Sequence, residues 1–184
     1  MRRSKRVLVG SAAMLVALSL SGCFAQETPD ATSSPSPSTT PVFASEEEAL
    51  AAATEAYASY RLVSEAIFAD GGSDPERLLT VATEEQYGRE LTGYKELASN
   101  KLHAVGKSFF EPPTLQMLES SGDNTTIVFY ACVDVSNVDI QNAAGESQVR
   151  PDRVDRYTTE TTVVLHDGRL LVASDIPWTG ESLC

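Results

Sequence analysis

The sequence predicts an α+β domain over residues 46-184: about three N-terminal helices packed on a curved, about four-stranded antiparallel sheet. Three observations predict it. Apolar residues recur at helical spacing from Leu50 to Ala98. From Val105 onward the pattern changes to strands, most clearly from Thr125 to Ser136, where alternate residues share a face. Further on, His166-Asp167-Gly168-Arg169 sets an Asp-Gly pair between two apolar runs, the signature of a tight hairpin. Helices first and strands after is an α+β order.

The first helix starts at Ser45. Ser45 and Glu48 have the spacing of a capping box, and Glu46, Glu47 and Glu48 suit the positive end of a helix. Leu50, Ala53, Tyr57, Tyr60, Val63 or Ser64, and Ile67 then mark one face over more than four turns, until Gly71-Gly72 ends the run. Asp74-Pro75 reads as an N-cap and first residue of a short second helix to about Ala82. Thr83 and Gln86 repeat the capping-box spacing. The third helix carries Tyr87, Leu91, Tyr94 and Leu97 or Ala98 on one face and ends near Asn100.

Val105 to Phe110 reads as a strand that Pro112-Pro113 interrupts, and Thr114 to Glu119 resumes it; the double proline argues for an edge or a bulge. Gly122-Asp123-Asn124 is a turn. In the next strand Ile127, Phe129, Ala131, Val133 and Val135 share one face, and Val128, Tyr130, Cys132 and Asp134 the other. Asn137 to Arg153 is a polar stretch. Tyr157 to Leu165 and Leu170 to Ile176 form the arms of the hairpin, and Pro177-Trp178 starts a tail to Cys184.

Ahead of the domain the composition changes twice. Arg2, Arg3, Lys5 and Arg6 precede an apolar run from Val7 to Leu20, too short for a normal span, which reads as a signal peptide over residues 1-22. Residues 23-45 form a tether. Between Thr28 and Pro41, Ser and Thr fill eight of fourteen positions and Pro four, so nothing there can bury a core. The tether spans about 25 Å as a flexible coil and roughly 70 Å as a polyproline helix.

Leu20-Ser21-Gly22-Cys23 resembles the lipobox of bacterial lipoproteins, and the chain as a whole resembles actinobacterial members of that class. The resemblance implies cleavage before Cys23, a diacylglyceryl thioether on its sulfur and an N-acyl chain such as palmitate. One acyl chain anchors marginally and two anchor stably. The expected location is the extracytoplasmic face of the cell membrane, with the lipid as membrane partner and an envelope protein as a candidate partner. Without residues 1-22 the chain holds 10 basic and 26 acidic residues, a net charge of −16. That balance disfavours nucleic acid and basic contact with anionic lipid headgroups. With Cys23 lipidated, Cys132 and Cys184 remain, consistent either with one disulfide or with two separate thiols. An exported compartment permits the bond, and closing a loop of about fifty residues is worth ~4 kcal/mol on the chain-entropy model.

The element order is similar to that of the nuclear transport factor 2-like cone, which ketosteroid-isomerase-like proteins share. That resemblance implies a pocket between helices and sheet, with an acidic or histidine base and a tyrosine donor. Tyr57, Tyr60, Tyr94, Tyr130, Asp134 and His103 are the candidates. Asp134 shares a strand face with Tyr130 and Cys132. Tyrosines at helical spacing are also ordinary core residues. No phosphate loop, nucleophile elbow or metal-ligand cluster is present: Gly106-Lys107-Ser108 lacks the leading glycine, and His103 and His166 are far apart. No cofactor or metal is expected. With no catalytic constellation, the domain reads as a non-enzymatic binding or assembly module. The alternative is a small apolar-ligand binder or isomerase-like enzyme using the cone cavity.

Overall fold

The computed structural model describes residues 42–121 and 124–184; the expected signal peptide, lipobox, Cys23, nearly all of the tether and the Gly122-Asp123 turn lie outside the described residues. The domain is α+β, with three helices and a curled antiparallel sheet.

Helix α1 spans Glu46–Ala69. Ser45 Oγ accepts from the Glu48 N–H at 3.1 Å, and Glu48 reaches back to the Ala44 N–H at 2.8 Å, one residue beyond the usual reciprocal bond. The buried face is Ala49, Ala53, Tyr57, Tyr60, Ser64 and Ile67, close to the periodicity in the sequence. The second helix is a 3-10 helix, Pro75–Thr80. Asp74 does not cap it through its side chain; it sits in the left-handed region at φ 48°. Helix α2 spans Glu84–Asn100 and is capped by Thr83. Gln86 does not close the capping box there: its side chain is fully buried and bonds across to α1.

The expected strand over Val105–Phe110 is broken in two, β1 (His103–Val105) and β2 (Phe109–Phe110). Gly106 between them has φ 90°, and a Cβ there would stand 1.8 Å from the Asn137 carbonyl oxygen. The chain must turn where two backbones touch, which only glycine permits. Strands β3 (Thr114–Ser121) and β4 (Asn124–Asp134) follow. The polar stretch after β4 holds an unexpected short strand, β5 (Asp139–Gln141), which pairs with β1 as a separate two-stranded ribbon. Strands β6 (Arg156–His166) and β7 (Arg169–Pro177) make the hairpin. Asp167 and Gly168 both take positive φ, 49° and 74°, as a two-residue hairpin turn demands.

The main sheet runs β2–β4–β6–β7, with β3 beside β2 on the same flank of β4, so it has five strands. β4 is central; Phe129 faces Thr161 and Cys132 faces Thr158 across the β4–β6 pair. The far edge, β7, is partly covered: the Thr83 N–H donates to the Val172 carbonyl at 2.9 Å and the Val172 N–H to Val81 at 3.0 Å. The core lies between the helices and one face of the sheet. Tyr57, Tyr60, Ile67, Leu78 and Tyr94 meet Ile127, Phe129, Ala131, Val163 and Val172 there. Among the described residues, no helix is long and apolar enough to cross a membrane.

Candidate functional site

The odd-numbered residues of β4 face the helices and the even-numbered ones face away. This divides the sequence-predicted pocket residues into two groups that do not meet. Tyr57, Tyr60 and Tyr94 are buried in the core. Tyr130 lies on the outer face against Trp178, ring centroids 4.7 Å apart. Asp134, also on that face, is at the strand end, 3.7 Å from Arg156 Nε. Asp134 is therefore not a pocket base. The Ser136 hydroxyl and N–H hold its carboxyl below the ordinary carboxylate range, which makes it a weaker proton acceptor. The shared face of Tyr130, Cys132 and Asp134 is real, but it is the wrong face for the cavity. His103 sits on the β1–β5 ribbon and His166 beside the hairpin turn, 3.6 Å from Asp167.

On the outer face Cys132 and Cys184 lie at disulfide distance, Cα–Cα 5.4 Å. The tail that reaches there is strapped to β6: the Trp178 N–H donates to the Thr158 carbonyl at 2.8 Å, and the Leu183 N–H to Thr158 Oγ1 at 2.9 Å.

The inner face carries a buried polar network that the sequence reading did not find. Its centre is Asp175 of β7, whose side chain is 8% exposed. Thr161 Oγ1 donates to Asp175 Oδ1 at 2.9 Å, the Tyr57 hydroxyl lies 3.4 Å from both carboxylate oxygens, and Arg61 Nη1 is 4.0 Å from Oδ2. Burial raises the carboxyl above its usual range despite the opposing hydrogen bonds and the Arg61 charge. The Asp175 N–H donates to Gln86 Oε1 at 3.3 Å. Gln86 Nε2 in turn donates to the Tyr60 hydroxyl at 2.8 Å and to Glu90 at 3.0 Å, and Tyr60 donates to Glu90 at 2.9 Å. Glu90, too, is pushed up by burial. The Tyr57 and Tyr60 phenols are raised chiefly by desolvation, as is Tyr94, to about 12. Ser64 and Tyr94 share a hydrogen bond at 2.9 Å. These tyrosines are therefore neutral phenols fixed in a core rather than bases.

Next to this network a cleft of about 240 Å³ opens between α1, the β1–β5 ribbon and the start of β6. Helix periodicity explains its floor: Arg61, Ser64, Glu65 and Phe68 lie one turn apart on one side of α1. Phe68, Ala104, Val138 and Ile140 supply apolar walls. Arg61, Glu65, Ser108 and Tyr157 supply the polar groups. Arg61 Nη2 donates to Ser108 Oγ at 2.6 Å, and Ser108 donates from its backbone (3.1 Å) and its hydroxyl to Glu65 Oε1. The rim is tied by Arg153, which bonds the Val138 carbonyl at 2.8 Å, the Val135 carbonyl at 3.1 Å and Asp155 at 2.9 Å. Asp175 does not line the cleft; Arg61 stands between the two. Among the described residues, no group of three or more His, Cys, Asp or Glu side chains could hold a metal ion.

No protein-family model matches the chain, and no curated protein and no solved structure matches it.

Proposed function

We propose that this protein is a membrane-tethered binding module. A lipid on Cys23 anchors it at the extracytoplasmic face, residues 23-45 hold the domain away from the bilayer, and the cleft beside α1 takes a small ligand. One observation carries the ligand part: apolar walls and convergent polar groups share one concavity, the usual make-up of a small-molecule site. The order of three helices and then antiparallel strands supports reading the domain as a cone of the nuclear transport factor 2-like kind. Binding is favoured over catalysis because the carboxylates whose pKa burial raises, Asp175 and Glu90, are engaged by neighbouring donors outside the cleft lining. Tyr130 and Asp134 take no part.

The test is a thermal-shift screen of the purified chain against small amphiphiles, with Ala104→Leu as a variant that fills the cleft. A ligand at about a hundred times its Kd stabilises the native state by about 2.7 kcal/mol, which a melting curve resolves. The expected result is a stabilising ligand whose effect disappears in Ala104→Leu while the variant still melts cooperatively. A screen in which no compound acts through the cleft rules this reading out. The anchor is tested separately: Cys23→Ser must move the protein from the membrane fraction to the soluble one.

A further inference from the structure

We propose that the ligand class of this cleft is the small monocarboxylate, a single carboxylate head on an apolar body, with Arg61 as its counter-ion. The inference rests on the binding reading above and adds the chemistry of the head group.

The Arg61 guanidinium borders the cleft. It has five N–H donors in a rigid fork, and its side chain is only 20% exposed. Among the described residues its one hydrogen bond within 3.5 Å is from Nη2 to Ser108. Nη1 is 4.0 Å from Asp175, too far for a hydrogen bond. Among the described residues the one buried side-chain nitrogen without a partner is Arg77 Nε, so the unbonded N–H groups of Arg61 reach solvent through the cleft and are open to an acceptor that comes from outside. A carboxylate matches the fork best, because it can take two parallel N–H bonds. The Tyr157 phenol lies beside the same guanidinium, and burial keeps it protonated, so its O–H is a second donor for the head. Asp175 offsets Arg61 incompletely, because burial also favours its neutral form.

The other groups narrow the class. Each guanidinium nitrogen of Arg153 is already hydrogen-bonded, to two carbonyls and to the Asp155 carboxylate at the rim, so it is a poorer anion anchor than Arg61. Glu65 also lines the cleft and repels negative charge, a penalty that the one Arg61 cation offsets for a single carboxylate and not for two. The site therefore suits one carboxylate and disfavours dicarboxylates and phosphates. Phe68, Ala104, Val138 and Ile140 take the body. At about 240 Å³ the cleft holds about eight water-sized groups, which limits the ligand to a short chain or a single ring.

Isothermal titration of the purified full chain with hexanoate, hexan-1-ol, hexylamine and adipate tests this. These probes share a six-carbon body and differ in head group. The proposal expects hexanoate to bind roughly tenfold or more tighter than hexan-1-ol and adipate, with hexylamine weakest. Arg61→Gln should bring hexanoate down to the level of hexan-1-ol and leave hexan-1-ol unchanged. Tyr157→Phe, which keeps the ring and so the fold, should cost hexanoate a smaller factor, and it serves if Arg61→Gln does not fold. Hexan-1-ol binding as tightly as hexanoate overturns the carboxylate assignment while leaving the binding reading in place. Hexanoate binding that Ala104→Leu does not weaken, or no hexanoate binding at all, also overturns the assignment. The binding reading then stands or falls on the amphiphile screen.

Discussion

The two faces of β4 belong to one eleven-residue strand, yet they are held down by different means. On the inner face Ile127, Phe129 and Val133 have no exposed surface. Phe129 meets the Tyr57 ring edge-on at 5.5 Å, and Tyr57 meets Phe110 at 5.0 Å. Burial of large apolar groups fixes this face, at about 25 cal/mol per Å² removed from water. The outer face carries Val128, Tyr130, Cys132 and Asp134, and among the described residues no helix lies over it. The C-terminal tail covers it with one indole, hydrogen bonds from the Trp178 and Leu183 N–H groups to the Thr158 carbonyl and hydroxyl, and a cysteine pair. A strand can thus be sealed by bulk on one side and by a strap on the other, and the two seals should fail differently.

The largest expected effect breaks the inner seal. Phe129→Ala deletes a fully buried ring in contact with α1 and should cost about 3–5 kcal/mol in urea denaturation. A loss below about 1 kcal/mol would mean that the inner face is not the core.

Next comes the outer strap. Cys184→Ser should cost about 2–4 kcal/mol, since the cysteines are 52 residues apart in sequence. Reductant should produce the same loss in the parent chain and none in the variant. Intact mass should rise by a pair of hydrogens on reduction of the parent; an unchanged mass would remove the bond from the account. The variant should retain the inner packing, so near-ultraviolet signals from core tyrosines should change less than in Phe129→Ala.

Much of this arrangement was legible in the sequence. The Ser45 and Thr83 caps, the α1 stripe, the alternation of β4 and the Asp167-Gly168 turn are local signals: short-range hydrogen bonds make the caps, apolar periodicity makes the stripe and the alternation, and positive φ makes the turn. Which face of β4 turns inward was not legible. Both faces carry apolar residues, so a period of two separates them without ranking them; the helices decide. The same limit hid the buried polar network beside the cleft. Gln86 has capping-box spacing but is drawn inward by Tyr60 and Glu90, and Asp175 reads as one polar residue in a strand until Thr161 and Tyr57 are brought to it from afar. The break at Gly106 depends on Asn137, 31 positions along the chain, which no local pattern reports.

A smaller effect sharpens the account of the outer face. Trp178→Ala removes a half-exposed indole from the strap and should cost about 1 kcal/mol. Combined with Cys184→Ser it should be less than additive, because both hold the same tail. Full additivity would mean that indole and cysteine pair act independently.

The smallest effect at neutral pH separates the faces by sign. Asp175 has its folded pKa raised by burial, so the folded state holds its proton more tightly than the unfolded chain does. The stability linked to Asp175 is then fully present below the unfolded value of about 3.9 and is lost as pH rises through the folded value. Glu90 acts in the same direction. Asp134 is the reverse: its folded pKa is lowered by the Ser136 hydrogen bonds, so its contribution is present above the unfolded value and lost as pH falls through the folded one. Asp175→Asn should therefore flatten part of the decline in stability as pH rises from about 4 towards neutral, with Glu90 carrying the remainder. Asp134→Asn should reduce the loss of stability on acidification instead. Denaturation midpoints measured from acid to neutral pH read both slopes. If the two asparagine variants shift the profile in the same direction, the carboxyl on β7 is not held in a dry environment, and the contrast between a buried inner face and a strapped, solvated outer one fails at its most sensitive point.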